Sequence, residues 1–67
     1  MTQKQRNHLV AVRKLQGLSK ADLAKMTGLS YATIIGIERG YKSQQNPSVK
    51  TLKKICKALG MDAGGLI

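Results

Sequence analysis

Aromatic residues are scarce in this sequence. Tyr31 and Tyr41 are the only two, and neither Phe nor Trp occurs. A β-sandwich or β-barrel core uses many aromatic residues, and an RNA-binding sheet stacks bases on aromatic rings, so both architectures are disfavoured. The apolar residues are mainly Leu, Ala and Ile, which are typical of helices. For a chain of 67 residues, we therefore expect a single all-α domain over residues 1–67.

Cysteine and long apolar runs are equally scarce. The single cysteine, Cys56, cannot form a disulfide within the chain, and the spacing of Cys, His and acidic residues offers no metal site. No apolar run comes near the length of a membrane span, about 18 residues. Residues 1–6 lack the apolar stretch of a signal peptide. We expect a cytoplasmic protein without a metal, a cofactor or a membrane segment.

Acidic residues are the third shortage. Twelve Lys and Arg residues stand against three Asp and Glu residues, which gives a net charge of +9 and a pI near 10.2. Such an excess repels itself and indicates a polyanionic partner, either nucleic acid or an anionic membrane surface. Membrane binding would use the apolar face formed by Leu52, Ile55 and Leu59, but a chain this short needs those residues for its core. Nucleic acid is the better candidate.

Hydrophobic periodicity predicts helices over residues 4–16, 20–27, 31–39 and 49–59. Leu9, Val12 and Leu15 recur on one face of the first helix and are predicted to point inward. Ile34 and Ile37 have the same role in the third helix. The fourth helix has an apolar face at spacings of three and four, and we expect its cysteine to be a buried, inert thiol: Leu52, Ile55, Cys56 and Leu59.

Serine and glycine residues mark the predicted helix ends. The expected N-caps are Ser19, Ser30 and Ser48, and Asp22 completes a Ser-x-x-Asp capping box with Ser19. A weak fifth helical turn over residues 63–66, with Asp62 as its N-cap, is opposed by two glycines that each cost about 1 kcal/mol in a helix. The glycines expected to end the four main helices are Gly17, Gly28, Gly40 and Gly60.

The most informative stretch is residues 19–40, where two short helices are joined by a tight turn. Ala24 is small where the third helix must cross close to the second. Gly28 can adopt a positive φ at the turn. Ile34 and Ile37 hold the third helix on the core, so its opposite face is offered to solvent. Each feature alone is weak evidence, but their joint spacing predicts a helix-turn-helix.

The sequence resembles the phage repressor and Cro-type (Xre-like) helix-turn-helix family from about residue 7 to residue 66. The resemblance implies a lambda-repressor-like bundle of four to five helices, with residues 31–38 in the DNA major groove. It also implies a homodimer that represses transcription at an inverted-repeat operator, in the bacterial nucleoid or in a phage-infected host. The residues that carry it are Arg13, Gly17, Leu18, Ser19, Leu23, Ala24, Gly28, Leu29, Ser30, Thr33, Ile34, Ile37, Glu38, Arg39, Gly40, Asn46, Pro47, Ser48, Leu52, Ala58, Leu59, Gly60 and Met61.

Carried over residue by residue, the resemblance assigns roles on double-stranded DNA. Lys20 stands where the family usually has a glutamine, and a lysine there keeps a phosphate contact as a mobile point charge. Glu38 matches the family glutamate that pairs with the arginine corresponding to Arg13. The base-reading positions are Ser30, Tyr31, Ala32, Ile35 and Gly36. The phosphate-binding positions are Lys20, Thr33, Arg39, Lys42 and Ser43.

The sequence departs from the family at this reading surface. The five base-reading positions contain no Arg, Asn or Gln, the side chains that make bidentate contacts to guanine or adenine. Apolar contact between Ala32 or Ile35 and thymine methyl groups remains, and Tyr31 offers one hydroxyl. We therefore expect modest direct readout, with more of the discrimination coming from DNA shape.

Catalysis is not expected. Asp22 and Asp62 are explained as helix-terminal residues and Glu38 as the partner of Arg13, which leaves no carboxylate pair for acid–base chemistry. His8 is expected near the surface of the first helix with no acid close in sequence. Ser30 lacks the setting of a nucleophile and is better explained as a cap. The chain is predicted not to be an enzyme and to have no small-molecule substrate.

Other functions remain open. Four lysines on the outer face of the fourth helix are either a solvated surface or a second contact with DNA or an acidic protein: Lys50, Lys53, Lys54 and Lys57. The main alternative is an antitoxin-like subunit that holds a protein partner and binds DNA mainly for autoregulation. A non-specific architectural binder of DNA or RNA is supported by charge alone. Leu66 and Ile67 indicate either a packed tail or a dimer contact.

Overall fold

The structure is a computed structural model that describes residues 1–61. Within these residues there are helices and no strands, so the all-α prediction is confirmed. The predicted fifth turn, with Asp62, Leu66 and Ile67, lies outside the described residues. The elements in chain order are α1 (Gln3–Leu15), α2 (Lys20–Thr27), α3 (Tyr31–Arg39), a 3₁₀ turn (Lys42–Gln44) and α4 (Val49–Leu59).

A residue with a hydroxyl side chain is the N-cap of every α-helix of residues 1–61. Ser19, Ser30 and Ser48 are the N-caps of α2, α3 and α4, as predicted, and each accepts a hydrogen bond from the backbone N–H three residues later. At α1 the cap is Thr2, which forms a capping box with Gln5. These caps satisfy backbone donors that a helix cannot pair internally.

The turn between α2 and α3 depends on a glycine. Gly28 has φ +74° and donates its N–H to the carbonyl of Ala24 at 2.9 Å. A side chain would resist this left-handed conformation, so glycine lets α2 end and α3 begin with only three residues between them. Leu29 then packs against the core, and Ser30 starts α3.

The core lies where α1 and α2 pack against α3 and where α4 closes over α2. The inward positions predicted for α3 and α4 are confirmed, and Cys56 is buried as expected. None of the helices in residues 1–61 is long and apolar enough to cross a membrane. The buried apolar residues are Leu9, Leu23, Ala24, Ile34, Ile37, Leu52, Ile55, Cys56 and Leu59.

The predicted inward face of α1 is wrong at Leu15, which is 87% exposed. The buried residues of α1 are Arg6, Leu9 and Arg13, with Val12 half-buried beside them. Residues of an α-helix advance by about 100° each, so Leu15 lies about 200° around the helix from Arg13. A charged residue occupies the inward position at this end of α1, and the apolar residue therefore points to water.

Arg13 is buried because it binds Glu38 of α3 through two parallel hydrogen bonds. Its Nε donates to Oε2 at 2.8 Å and its Nη2 donates to Oε1 at 3.1 Å. Its remaining nitrogen, Nη1, donates to the carbonyl of Leu18 at 2.7 Å. The pair that the resemblance implied therefore joins α1, the α1–α2 connection and the C-terminal half of α3.

We expect Glu38→Ala to destabilise the protein by about 3–5 kcal/mol, because it leaves the Arg13 charge buried without a counterion. A core this small rarely supplies more than about 3–5 kcal/mol, so the variant should be largely unfolded at 25 °C. Urea denaturation followed by circular dichroism measures the loss. The double replacement Arg13→Met with Glu38→Leu should recover most of it. A loss below about 1 kcal/mol, typical of exposed pairs, would contradict this account.

The stability of the N-terminus of α2 depends on pH through the carboxylate of Asp22. Its carboxylate accepts the backbone N–H of Ser19 at 2.9 Å, and the Ser19 hydroxyl accepts the N–H of Asp22 at 3.0 Å. The backbone N–H and hydroxyl of Ser19 hold the pKa of Asp22 below its usual value of 3.8. Because the folded pKa is depressed, the stabilisation is present above the ordinary pKa and is lost as pH falls through the folded value.

We expect Asp22→Asn to lower the melting temperature at pH 7 and to have a smaller effect at each step toward pH 2. The asparagine mimics the protonated acid, so wild type and variant should converge once Asp22 is protonated. Thermal melts at matched ionic strength measure the difference. A gap that stays constant down to pH 2 would show that the charge of Asp22 does not stabilise the cap.

Candidate functional site

The candidate site is the face of α3 that points away from the core. Ile34, Ile37 and Glu38 are buried on the inner face. Ala32 is exposed on the outer face, Tyr31 is 52% exposed at the N-terminal end of the helix, and Ile35 is half-buried between the two faces. The helix is thus held by one face and offers the side chains near its N-terminus to a ligand.

Ser30 and Thr33 form a small hydroxyl cluster at the N-terminus of α3. The Ser30 Oγ accepts the backbone N–H of Thr33 at 3.1 Å, and the two hydroxyl oxygens lie 2.7 Å apart in a further hydrogen bond. The capping role predicted for Ser30 is present. Because a hydroxyl oxygen has two lone pairs, a capped serine still has capacity to contact another group.

Gly36 lies on the outer side of α3 but is not open to solvent, in contrast to the sequence prediction. It is buried, since the segment after α3 folds back over it. A methyl group added at Gly36 would lie 2.7 Å from Cγ of Gln44 and 3.8 Å from Cδ2 of Tyr41. The periodicity of α3 places residue 36 correctly around the helix, but it gives no information on the segment that covers it.

The end of α3 and the segment that follows it carry three of the predicted phosphate-binding residues. Arg39 is exposed, and its Nη1 donates to the hydroxyl oxygen of Tyr41 at 3.2 Å. This hydrogen bond raises the pKa of Arg39 above its usual value. Lys42 and Ser43 follow on the 3₁₀ turn and are exposed. Positive charge is therefore concentrated at the C-terminal end of α3.

Lys20, like Thr33, is a predicted phosphate-binding residue that stands apart from this segment. It is the first residue of α2 and is half-buried. The N-terminus of a helix carries a partial positive charge from its unpaired N–H groups. A lysine at this position adds a full charge to that end of α2, which favours binding of an anion there.

Sequence reasoning missed Arg6, which is buried at the C-terminal end of α3. Its Nη1 donates to the carbonyl of Met1 at 2.9 Å. Its guanidinium packs so closely on Gly40 that a methyl group there would lie 2.8 Å from Cζ of Arg6. The available signal was spacing, since Arg6, Leu9 and Arg13 lie three and four residues apart, but an arginine at such a position is usually assigned to solvent.

A second surface lies on the outer side of α4. The four lysines predicted there line a shallow groove of about 390 Å³ together with Val49, which is 53% exposed. A neighbouring depression adds Met26 and Thr27 at the end of α2. Among residues 1–61, no cluster of three or more His, Cys, Asp or Glu side chains could hold a metal ion.

Comparison with known proteins gives one family and one relative. The model of the helix-turn-helix family matches residues 9–66. An uncharacterised helix-turn-helix-type transcriptional regulator of Methanocaldococcus jannaschii is 43% identical over 56 residues, which cover 84% of this chain and 80% of that protein. No solved structure matches the chain significantly.

Proposed function

We propose, from the finding that the chain belongs to the helix-turn-helix family, that it binds duplex DNA as a transcriptional regulator with α3 in the major groove. The observation that carries the proposal is the division of α3 into two faces. Glu38 and the isoleucines fix the inner face, while Tyr31 and Ala32 remain exposed. The major groove of B-DNA admits a helix, so an anchored helix with a free face suits it.

Phosphate contacts supply most of the affinity in this proposal. A net charge of +9 attracts DNA from a distance. The contacts come from the N-terminus of α2, from the first turn of α3, and from the end of α3 with the segment that follows it. They fix the orientation of α3 and carry no sequence information. The contributing residues are Lys20, Thr33, Arg39, Lys42 and Ser43.

The protein acts as a homodimer and represses transcription by occupying a promoter. A single α3 offers few groups that can bond to bases, so one copy distinguishes only a short sequence. Two copies related by a two-fold axis double the length that is read, on half-sites about 34 Å apart, one turn of the duplex. An inverted-repeat operator follows from that symmetry.

Selection from a random duplex pool at about 0.15 M salt, where non-specific binding is weak, tests the proposal. We expect enrichment of an inverted repeat whose half-site centres are one helical turn apart. Binding without enrichment would indicate an architectural DNA binder, and a chain that binds no duplex would contradict the proposal.

Phosphate-binding and base-reading residues should differ in how their loss affects binding. We expect Lys42→Ala to weaken binding to all sequences alike and to lower the slope of log K against log salt by about 1. Tyr31→Ala should instead change which sequences are preferred. Competition binding at several salt concentrations measures both. Lys53→Ala, which removes an exposed lysine from the outer face of α4, is the matched control and should leave both properties unchanged.

A second candidate function is a subunit that binds a protein partner, as antitoxins do. The lysine-lined groove on α4 favours it, because Val49 is half-exposed among like charges that repel one another along the helix. The test is copurification with the wild type and with Lys53→Glu. A partner that the wild type retains and the Lys53→Glu variant loses would support this function. If Lys53→Glu instead weakens DNA binding, the lysines of α4 contact DNA.

A further inference from the structure

At Gly36 the outer face of α3 has no side chain of its own. Ala32 lies one turn before it on the same side of the helix, and neither residue can form a hydrogen bond to a base edge with its side chain. A helix that reads DNA normally needs an amide or guanidinium group on this side. The nearest candidate in the structure comes from outside the helix.

Gln44 occupies the space that a side chain at position 36 would fill. A methyl group at Gly36 would lie 2.7 Å from Cγ of Gln44 and 3.2 Å from its Cβ. Backbone hydrogen bonds hold this arrangement. The Tyr41 N–H donates to the carbonyl of Gly36 at 3.0 Å, and the Gln44 N–H donates to the carbonyl of Tyr41 at 2.8 Å. The 3₁₀ turn is thereby fixed on α3, with the stem of Gln44 lying on the glycine.

The amide group of Gln44 is available to a ligand. Its side chain forms no hydrogen bond to any of residues 1–61. Within the same residues, no buried side-chain nitrogen or oxygen lacks a partner. The amide of Gln44 is therefore in contact with solvent, while the stem of the side chain is held against α3.

We propose that Gln44 is a base-reading residue that supplies from the 3₁₀ turn the amide group that α3 lacks. The amide matches the major-groove edge of adenine, because Nε2 donates to N7 and Oε1 accepts from the N6 amino group. Gly36 is the complementary element, since any side chain there would displace Gln44. The inference rests on the proposed function, and it adds specificity for one A·T base pair in each half-site.

The test compares sequence selection by the wild type, Gln44→Ala and Gln45→Ala. We expect the wild type to prefer A·T at one position of each half-site by roughly tenfold, the discrimination of one bidentate contact. Gln44→Ala should lose the preference at that position and keep it elsewhere. Gln45→Ala is the matched control, because it removes an exposed glutamine from the adjacent position, and it should keep the full preference.

Gly36→Ala provides an independent test, since its methyl group pushes the flexible Gln44 side chain away. We expect it to lose the same single preference, with a melting temperature that shows a folded protein. An unchanged preference in Gln44→Ala, or an equal loss of affinity for all sequences, would overturn the inference and leave the proposed function standing. A wild type that enriches no sequence would instead overturn the proposed function and this inference with it.

Discussion

The buried pair of Arg13 and Glu38 is the constraint on which the rest of the structure depends. Two charges removed from water are stable only when geometry and hydrogen bonding are nearly complete. The pair meets that condition with a bidentate contact and a third bond to the Leu18 carbonyl. Because apolar replacements of buried pairs often cost little stability, we infer that the contribution of this pair is positional. A planar guanidinium that donates two parallel hydrogen bonds to a carboxylate fixes how the two groups lie relative to each other.

That orientation determines which face of α3 reaches solvent. Glu38 must point toward α1, so residues on the opposite side of α3 point outward whatever their chemistry. Ala32, about 120° around the helix from Glu38, is exposed for this reason, whereas Tyr31 lies on the same side as Glu38 and is exposed at the N-terminal end of α3. The end of α3 is held a second time by Arg6, whose guanidinium lies against Gly40. Two arginines on one face of α1 therefore set the position of the helix that we propose to enter DNA.

The distribution of charge follows from the small number of acidic residues and from their structural roles. In residues 1–61 the two carboxylates, Asp22 and Glu38, are committed to a helix cap and to the buried pair. The lysines are exposed or half-buried on the surface. The buried Arg13 is thus neutralised while the surface stays strongly positive, which suits the DNA binding that we propose.

Local chemistry allowed the helices to be predicted from the sequence by itself. A hydroxyl before a helix and a glycine after it act on backbone groups within a few residues, so Ser19, Ser30 and Gly28 could be assigned without knowledge of the fold. The inner face of α3 was predictable for a similar reason, since Ile34 and Ile37 repeat with the helical period.

Tertiary structure alone decided the features that depend on contacts between distant segments. Leu15 is exposed because Arg13 takes the inward position to reach Glu38, which is 25 residues away. Gly36 is covered because the turn after α3 folds back and lays Gln44 on it. Periodicity reports which direction a side chain points from its own helix. It contains no information about which other segment will occupy that direction, and here that second segment decides what the candidate site presents.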